Sequence, residues 1–527
     1  MSPNVHPIRA ALIAAATLLA AASLASASAT LLLEEPYGHM GFFTGTGHAA
    51  VYLSNVCANN DDPRVLRPCA RGEAGVVLSR YDGVAGYDWL AIPLIPYLYA
   101  VDRPADIPLF ADAKMVAFLR DSYRRKHLEN IVPDNADSTT PGGTWYELIG
   151  SSYDRTIYGF EIDTTPEQDA ALIRHLNSSP NRSHFHLLTR NCADFAKDII
   201  NFYYPKSLHR SVVADVGITT PKQISKLLVR YEARHPNLAA SRLVIAQVPG
   251  SMPRSANPKG VVESFLKSKK YIVPSAIASP IFAGCVVAVY VGTGAGRFQP
   301  DRDALVFNPG SNPEPPIARQ DRKTYERQLK QLLAETDPAA KQEGPDKAWE
   351  RLQSKARTGF DGQQAPVLQM HVGEQQVSLG ASAENIFNGT APPQLVQQII
   401  AARLQSELRH GPPKGLSQQT ITRDWTLLQQ TMAQAKREQA SLNASGPSLA
   451  SAQSAIAPSP ETISTARTIP AAETTSTAGA PSFAPFAKHG YPADGTIVFT
   501  QYPSPDQQTF LSLGSIPQPS RVATDGP

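Results

Sequence analysis

The feature of this 527-residue chain that most constrains its fold is Asn191-Cys192-Ala193-Asp194 at the head of an amphipathic run. Asparagine is a strong helix N-cap, and an acid three residues on reaches back to the cap. Phe195, Ile199 and Tyr203 then recur at spacing four, laying one apolar stripe along a helix that Pro205 stops. Cys192 therefore occupies the first helical position. Unpaired N–H groups and the positive end of the helix dipole surround a thiol there, and both favour a thiolate. The same N–H groups suit the oxyanion of a tetrahedral intermediate. The competing reading is a small apolar residue packed beneath the helix.

The segment before this helix predicts strands and helices in alternation. Gly47 to Leu53 (GHAAVYL) reads as a short strand, with Ala49, Val51 and Leu53 on one face and His48, Ala50 and Tyr52 on the other. Gly75 to Arg80 reads as the next strand, 110–126 as a helix with a basic end, and 130–150 as a polar surface loop. Thr156 to Ile162 is strand-like. Thr165-Pro166-Glu167-Gln168 then carries a cap, a first-position proline and a capping-box glutamine, which opens another helix. His184 to Thr189 reads as a further short strand. The apolar run Trp89 to Tyr99 suits core, or the wall of a groove.

The first 29 residues read as a signal peptide: Arg9 as the basic region, Ala10 to Leu24 as the uncharged core, and Ala25 to Ala29 as small residues for a peptidase. An uncleaved anchor is the alternative, and either places the next domain in the periplasm or cell envelope. Cys57, Cys69, Cys192 and Cys285 make neither a disulfide scaffold nor a zinc motif. Cys57 and Cys69 lie close enough in sequence for a loop-closing disulfide, which leaves Cys192 as a free thiol in an oxidising compartment. The formal net charge of +3 gives no reason to expect a nucleic-acid partner.

A histidine opening an apolar strand is suited to act as general base for such a thiol. His48 holds that place after Gly41, Gly45 and Gly47; His39, His184 and His186 are its competitors. Asp82, and less well Arg80, would orient the His48 ring, since a carboxylate fixes an imidazole tautomer. Asp82 alternatively serves the turn before Gly83.

The order His48 then Cys192, with TGHAAVYL, YGFEIDTTPEQDAALIRHL and HFHLLTRNCADFAKDII, resembles the circularly permuted papain-like families: the lecithin-retinol acyltransferase and permuted NlpC-type groups. These stretches most resemble the exported domain family that includes the N-terminal periplasmic domain of the lipoprotein acyltransferase Lnb. The resemblance covers about residues 36–235 and rests on short motifs. It implies an α+β domain over 31–235, an antiparallel sheet packed with a cysteine-bearing helix. It also implies a thiol hydrolase or acyltransferase with Cys192 as nucleophile, His48 as base and Asn191 as the residue before the nucleophile. The substrate would be an envelope lipid, a lipoprotein or a peptidoglycan peptide. Lnb-like enzymes carry several spans after this domain, and this chain offers at most one.

That one is 271–296, an uncharged run interrupted by Pro274 and Pro280; it is long enough for a membrane span, with a buried strand as the alternative. Lys267, Lys269 and Lys270 before it fit the positive-inside rule poorly if the front domain is exported. Residues 236–270 would connect the domain to this span. Residues 300–436 form a mostly helical α+β region, with amphipathic helices around Tyr325 to Leu333 and Leu395 to Leu408 and a hairpin about Gly373-Glu374. Residues 437–487, rich in Ala, Ser, Thr and Pro, read as a disordered linker before a tail, 488–527. No phosphate loop or helically spaced metal ligands are present, so neither cofactor nor metal is expected. A non-catalytic, membrane-tethered scaffold remains the rival function.

Overall fold

The structure, a computed structural model, describes residues 27–37, 45–59, 62–81, 83–109, 111–213, 215–238, 240–336, 357–362, 365–372, 375–380, 392–409 and 415–444. The fold is α+β. Its centre is a seven-stranded sheet. In chain order the strands are β1 (Ser28–Glu34), β2 (His48–Leu53), β5 (Val76–Leu78), β6 (Ile92–Pro93), β7 (Ile157–Asp163), β8 (Ala240–Ile245) and β9 (Leu305–Val306), while β3 (Val56–Asn59) and β4 (Asp62–Pro68) form a separate ribbon. The spatial order is β6-β5-β2-β1-β7-β8-β9, antiparallel throughout except for the parallel β8–β9 pair.

Membership of the core cluster follows the strand periodicity. Ala29, Leu31 and Leu33 of β1, Ala49, Val51 and Leu53 of β2, and Tyr158, Phe160 and Ile162 of β7 share one hydrophobic cluster. Three helices cover that face: α3 (Pro166–Ser178), α4 (Cys192–Tyr203) and α5 (Pro221–Arg234). Phe195, Ile199 and Tyr203 of α4 point into the cluster, each contributing roughly 2 kcal/mol by leaving water. The opposite face meets α1 (Leu94–Tyr99), and α2 (Ala113–Tyr123) comes next in the chain. The run Trp89 to Ile92 and Tyr97 to Tyr99 is buried, so it serves as core.

Several sequence expectations need correction. Ser28 and Ala29, expected in the leader, are buried in β1, the strand between β2 and β7. The sheet continues past residue 235, because β8 pairs with β7 and β9 with β8. The 184–189 strand is a turn. His186 and Arg190 exchange backbone hydrogen bonds, and the chain must reverse there to deliver Asn191, whose Nδ2 holds the Leu187 carbonyl at 2.9 Å.

The 271–296 run does not form the single helix expected of a span. It folds as two short helices, α7 (Lys269–Ala278) and α8 (Pro280–Thr293), after α6 (Val261–Lys267). No helix among the described residues is long and apolar enough to cross a membrane. The break has a local cause. Proline disfavours helical geometry in the residue before it, and Ser279 is extended at φ −151°, ψ 89°. Its side chain instead caps the next helix by accepting from Phe282 N–H.

Beyond residue 300, α9 (Arg319–Thr336), α10 (Pro393–Arg409) and α11 (Gln418–Ala444) accompany a three-stranded sheet of β10 (Arg357–Phe360), β11 (Pro366–Val372) and β12 (Gln375–Gly380). The hairpin appears as the β11–β12 pair, with Val372 opposite Gln375. Residues 437–444, expected in the linker, continue α11; the rest of the linker, the tail and residues 1–26 lie outside the described residues.

Cys57 and Cys69 form a disulfide across the β3–β4 ribbon, and Arg67 and Glu73 pair beside it at 2.7 Å. Closing so short a loop is worth roughly 3 kcal/mol through the unfolded state. The double variant Cys57→Ala/Cys69→Ala is therefore expected to lose about 3 kcal/mol in urea unfolding. An unchanged midpoint would show that the bond carries no stability.

Candidate active site

The helix that presents Cys192 is built as its sequence dictates. Asn191 Oδ1 accepts from Asp194 N–H at 3.0 Å, and Asp194 Oδ2 accepts from Asn191 N–H at 3.4 Å, completing a capping box. Asn191 Nδ2 donates to the carbonyls of Leu187 (2.9 Å) and Thr219 (3.0 Å). Asp194 is buried, and its Oδ1 accepts from Thr219 Oγ1 at 2.7 Å and from Arg210 at 2.9 Å. Asn191 is thus a positioning residue that fixes where α4 begins. Arg80 braces the same turn: it makes two 2.6 Å hydrogen bonds to Asp88 and lies over the Phe195 ring at 5.0 Å. That ion pair removes Arg80 as a partner for His48.

His48 begins β2 directly opposite Glu34 of β1. Gly47 permits this start. Its φ is +75°, and a Cβ there would stand 2.1 Å from the Glu34 carbonyl oxygen. The His48 ring stacks on Tyr81 with centroids 4.7 Å apart. Beneath it lies a buried polar platform. Tyr81 donates to the Glu147 carbonyl at 2.9 Å, Tyr97 donates to Glu34, and Arg155 pairs with Glu34 at 3.1 Å.

The partner that orients His48 is Ser79, which sequence reasoning missed. His48 Nε2 lies 2.6 Å from Ser79 Oγ, and Ser79 Oγ lies 2.8 Å from the Ala49 carbonyl. A carbonyl only accepts, so the single hydroxyl proton of Ser79 goes to Ala49. Ser79 must then accept from His48, which places the ring proton on Nε2 and leaves Nδ1 as the basic atom. Asp82, the residue expected in this role, lies outside the described residues, as does His39. The exposed His186 bonds Thr189 within its own turn at 2.9 Å, and His184 is exposed. No local motif marks Ser79; only its place just after β5, the strand paired with β2, could have drawn attention to it.

The helix and the strand meet at this end of the sheet. Cys192 packs against the cluster that contains Ala49, one residue from His48, and the Ala49 N–H favours its thiolate form. Among the described residues no hydrogen bond joins the Cys192 thiol to the His48 ring. Both groups are neutral. Burial pushes the Cys192 thiol up to about 11, against the lowering effect of the Ala49 and Ala193 N–H groups. Burial, then the Arg155 cation, lowers His48 well below the usual histidine range. The helix terminus is present as expected, but desolvation outweighs it, so the resting group is a thiol and not the expected thiolate.

A separate cavity of about 930 Å³ is lined in part by Glu35, Gln247, Arg254, Arg403 and Glu407; neither Cys192 nor His48 borders it. The Cys57, Cys69 and Glu73 grouping offers no ligand set, because its sulfurs are bonded to each other and Glu73 is held by Arg67.

The tautomer is open to direct measurement. Nitrogen-15 NMR of the histidines is expected to show His48 neutral at pH 6.5 with its proton on Nε2, and Ser79→Ala is expected to give mixed tautomers. An Nδ1 proton in the unaltered protein would refute the assignment.

No protein-family model, curated protein or solved structure matches the chain.

Proposed function

We propose that this chain is an exported, circularly permuted papain-like thiol hydrolase or acyltransferase acting on an ester or amide of an envelope component. The observation that carries this reading is the convergence at one end of β2. A cysteine at the first position of a box-capped helix packs against the cluster that contains Ala49, the residue beside a half-buried, neutral histidine. Ser79 holds that histidine in one tautomer.

The chemistry proceeds by general-base catalysis. His48 Nδ1 takes the thiol proton as Cys192 sulfur attacks the acyl carbon. The N–H groups of Cys192 and Ala193, which have no intrahelical acceptor at a helix start, receive the negative charge on the former carbonyl oxygen. Collapse breaks the bond to the leaving oxygen or nitrogen, which takes the proton back from His48 and leaves a thioester. Water or an amine, deprotonated by His48, then attacks the thioester. The sulfur–carbon bond breaks, and the sulfur recovers its proton. Export is supported by the leader-like first 27 residues and by the Cys57–Cys69 disulfide, since such bonds persist in oxidising compartments.

One observation favours the alternative of a non-catalytic binding domain: among the described residues no hydrogen bond joins the thiol to His48, and burial raises the thiol rather than activating it. A substrate panel separates the readings. The full chain is expected to turn over acyl esters of phospholipid or lipopeptide type, with Cys192→Ala inactive. Cleavage of muropeptides alone would redirect the proposal to a peptidoglycan amidase. Ligand binding without turnover, retained in Cys192→Ser, would establish the binding domain.

A further inference from the structure

The two helices that replace the expected membrane span are exposed along most of their length although they are almost wholly apolar. Val273 and Ile277 of α7 and Ile281, Phe282, Val287 and Val291 of α8 all face solvent; Ile277 is 79% and Ile281 82% exposed. A patch of contiguous aliphatic and aromatic side chains on this scale is costly in water and marks an interaction surface. Its charge is one-sided. No aspartate or glutamate occurs between Glu263 and Asp301, whereas Lys267, Lys269 and Lys270 stand at the entry to α7. Lys267 pairs with Glu263 at 2.6 Å; Lys269 and Lys270 are exposed and form no ion pair among the described residues.

We infer that α7 and α8 form a monotopic hairpin that docks on a membrane surface bearing anionic headgroups. Neither helix alone reaches across: the 14 residues of α8 rise roughly 21 Å, against a hydrocarbon core of roughly 30 Å, and Ser279 breaks it from α7. An apolar helix pair with lysines at one end suits the headgroup boundary, where acyl chains take the isoleucines and phosphates take the ammonium groups. Tyr271 and Tyr290 occur on the same two helices, in keeping with the aromatic residues common at that depth. The hairpin is rooted firmly. Lys226 donates to the Thr293 carbonyl at 2.7 Å, and Lys222 pairs with Glu263 at 2.6 Å.

The same root touches the approach to His48. Lys259 N–H donates to the Gly45 carbonyl at 2.6 Å, three residues before the histidine, and Ser264 stands against Gly45. Docking would therefore hold the His48 end of β2 near the lipid surface and favour a lipid-borne acyl ester over a soluble peptide. Docking itself rests on the hairpin alone; the choice of substrate rests on the catalytic reading.

The test is vesicle flotation of the full chain carrying Cys192→Ser, so that binding is read without thiol chemistry. Vesicles are phosphatidylcholine, alone or mixed with phosphatidylglycerol. Binding is expected to the mixed vesicles and to weaken with added salt. It is expected to fall about a hundredfold in Ile277→Asp/Ile281→Asp, which removes two exposed anchors without touching the core. Lys269→Glu/Lys270→Glu is expected to abolish the preference for phosphatidylglycerol. Flotation unchanged by the isoleucine pair, or absent with both vesicles, would overturn the inference. So would a dimer, seen by light scattering, that the isoleucine pair dissolves while vesicles bind nothing, because the hairpin would then serve a second copy. Flotation absent with both vesicles while the unaltered chain turns over esters would remove the docking and leave the catalytic reading standing.

Discussion

Replacing His48 by alanine is expected to lower ester turnover about a thousandfold, the range of a lost general base. The size of the effect comes from the state of the thiol. With Cys192 pushed up to about 11, almost none of it is thiolate at neutral pH, so the attacking sulfur depends on a base at the moment of reaction. An enzyme that rests as a thiolate–imidazolium pair would depend on its histidine differently, and its pH profile would differ too. Here His48 must be neutral to act. Because its pKa is lowered, activity is expected to hold as pH falls through 6.5 and to decline only further into acid. In His48→Ala the residual rate should instead climb with pH toward 11, as hydroxide takes over deprotonation. Steady-state rates from pH 5 to 10 for both proteins check this, and a wild-type profile halved near pH 6.5 would contradict the lowered, neutral imidazole.

The second large effect belongs to the nucleophile. Cys192→Ala is expected to remove turnover by at least about ten thousandfold, since no other group at the site can form the covalent intermediate. Stability should change little: the thiol sits at the start of α4, and the cap bonds of Asn191 and Asp194 do not involve it. Thermal unfolding of the variant therefore serves as the control. Activity that survives in Cys192→Ala would move the chemistry to another residue. Ser79 is not a substitute nucleophile, because its hydroxyl proton is committed to Ala49 and its oxygen to His48.

The features legible in the sequence were those set by near neighbours. The Asn191–Asp194 box, the Thr165–Gln168 box and the β11–β12 hairpin each depend on residues a few positions apart, and each stands where the pattern places it. The same holds for the position of β2, although Ala50, expected on the face of His48 and Tyr52, is as buried as Ala49 and Val51. Features that depend on distant parts of the chain were hidden. Ser79 reaches His48 only because β5 pairs with β2, thirty-one residues away in sequence. The protonation of Cys192 is set by how much protein surrounds the thiol, and helix-terminus reasoning alone gave it the wrong sign. Pro280 was visible as a flaw in a span; that it ends one helix and starts another depends on the extended Ser279 before it. The 184–189 run carries the apolar residues of a strand, yet the need to turn the chain into the Asn191 cap decides its conformation.

The most direct test of the central claim is to trap the acyl-enzyme. The full chain is mixed with an activated acyl ester, quenched in acid within seconds, digested and examined by mass spectrometry. A hydroxylamine-labile acyl group on the peptide containing Cys192, formed far more slowly in His48→Ala, is the predicted result. Steady ester turnover with no acyl group on Cys192, or acylation at an undiminished rate without His48, would contradict the Cys192–His48 mechanism.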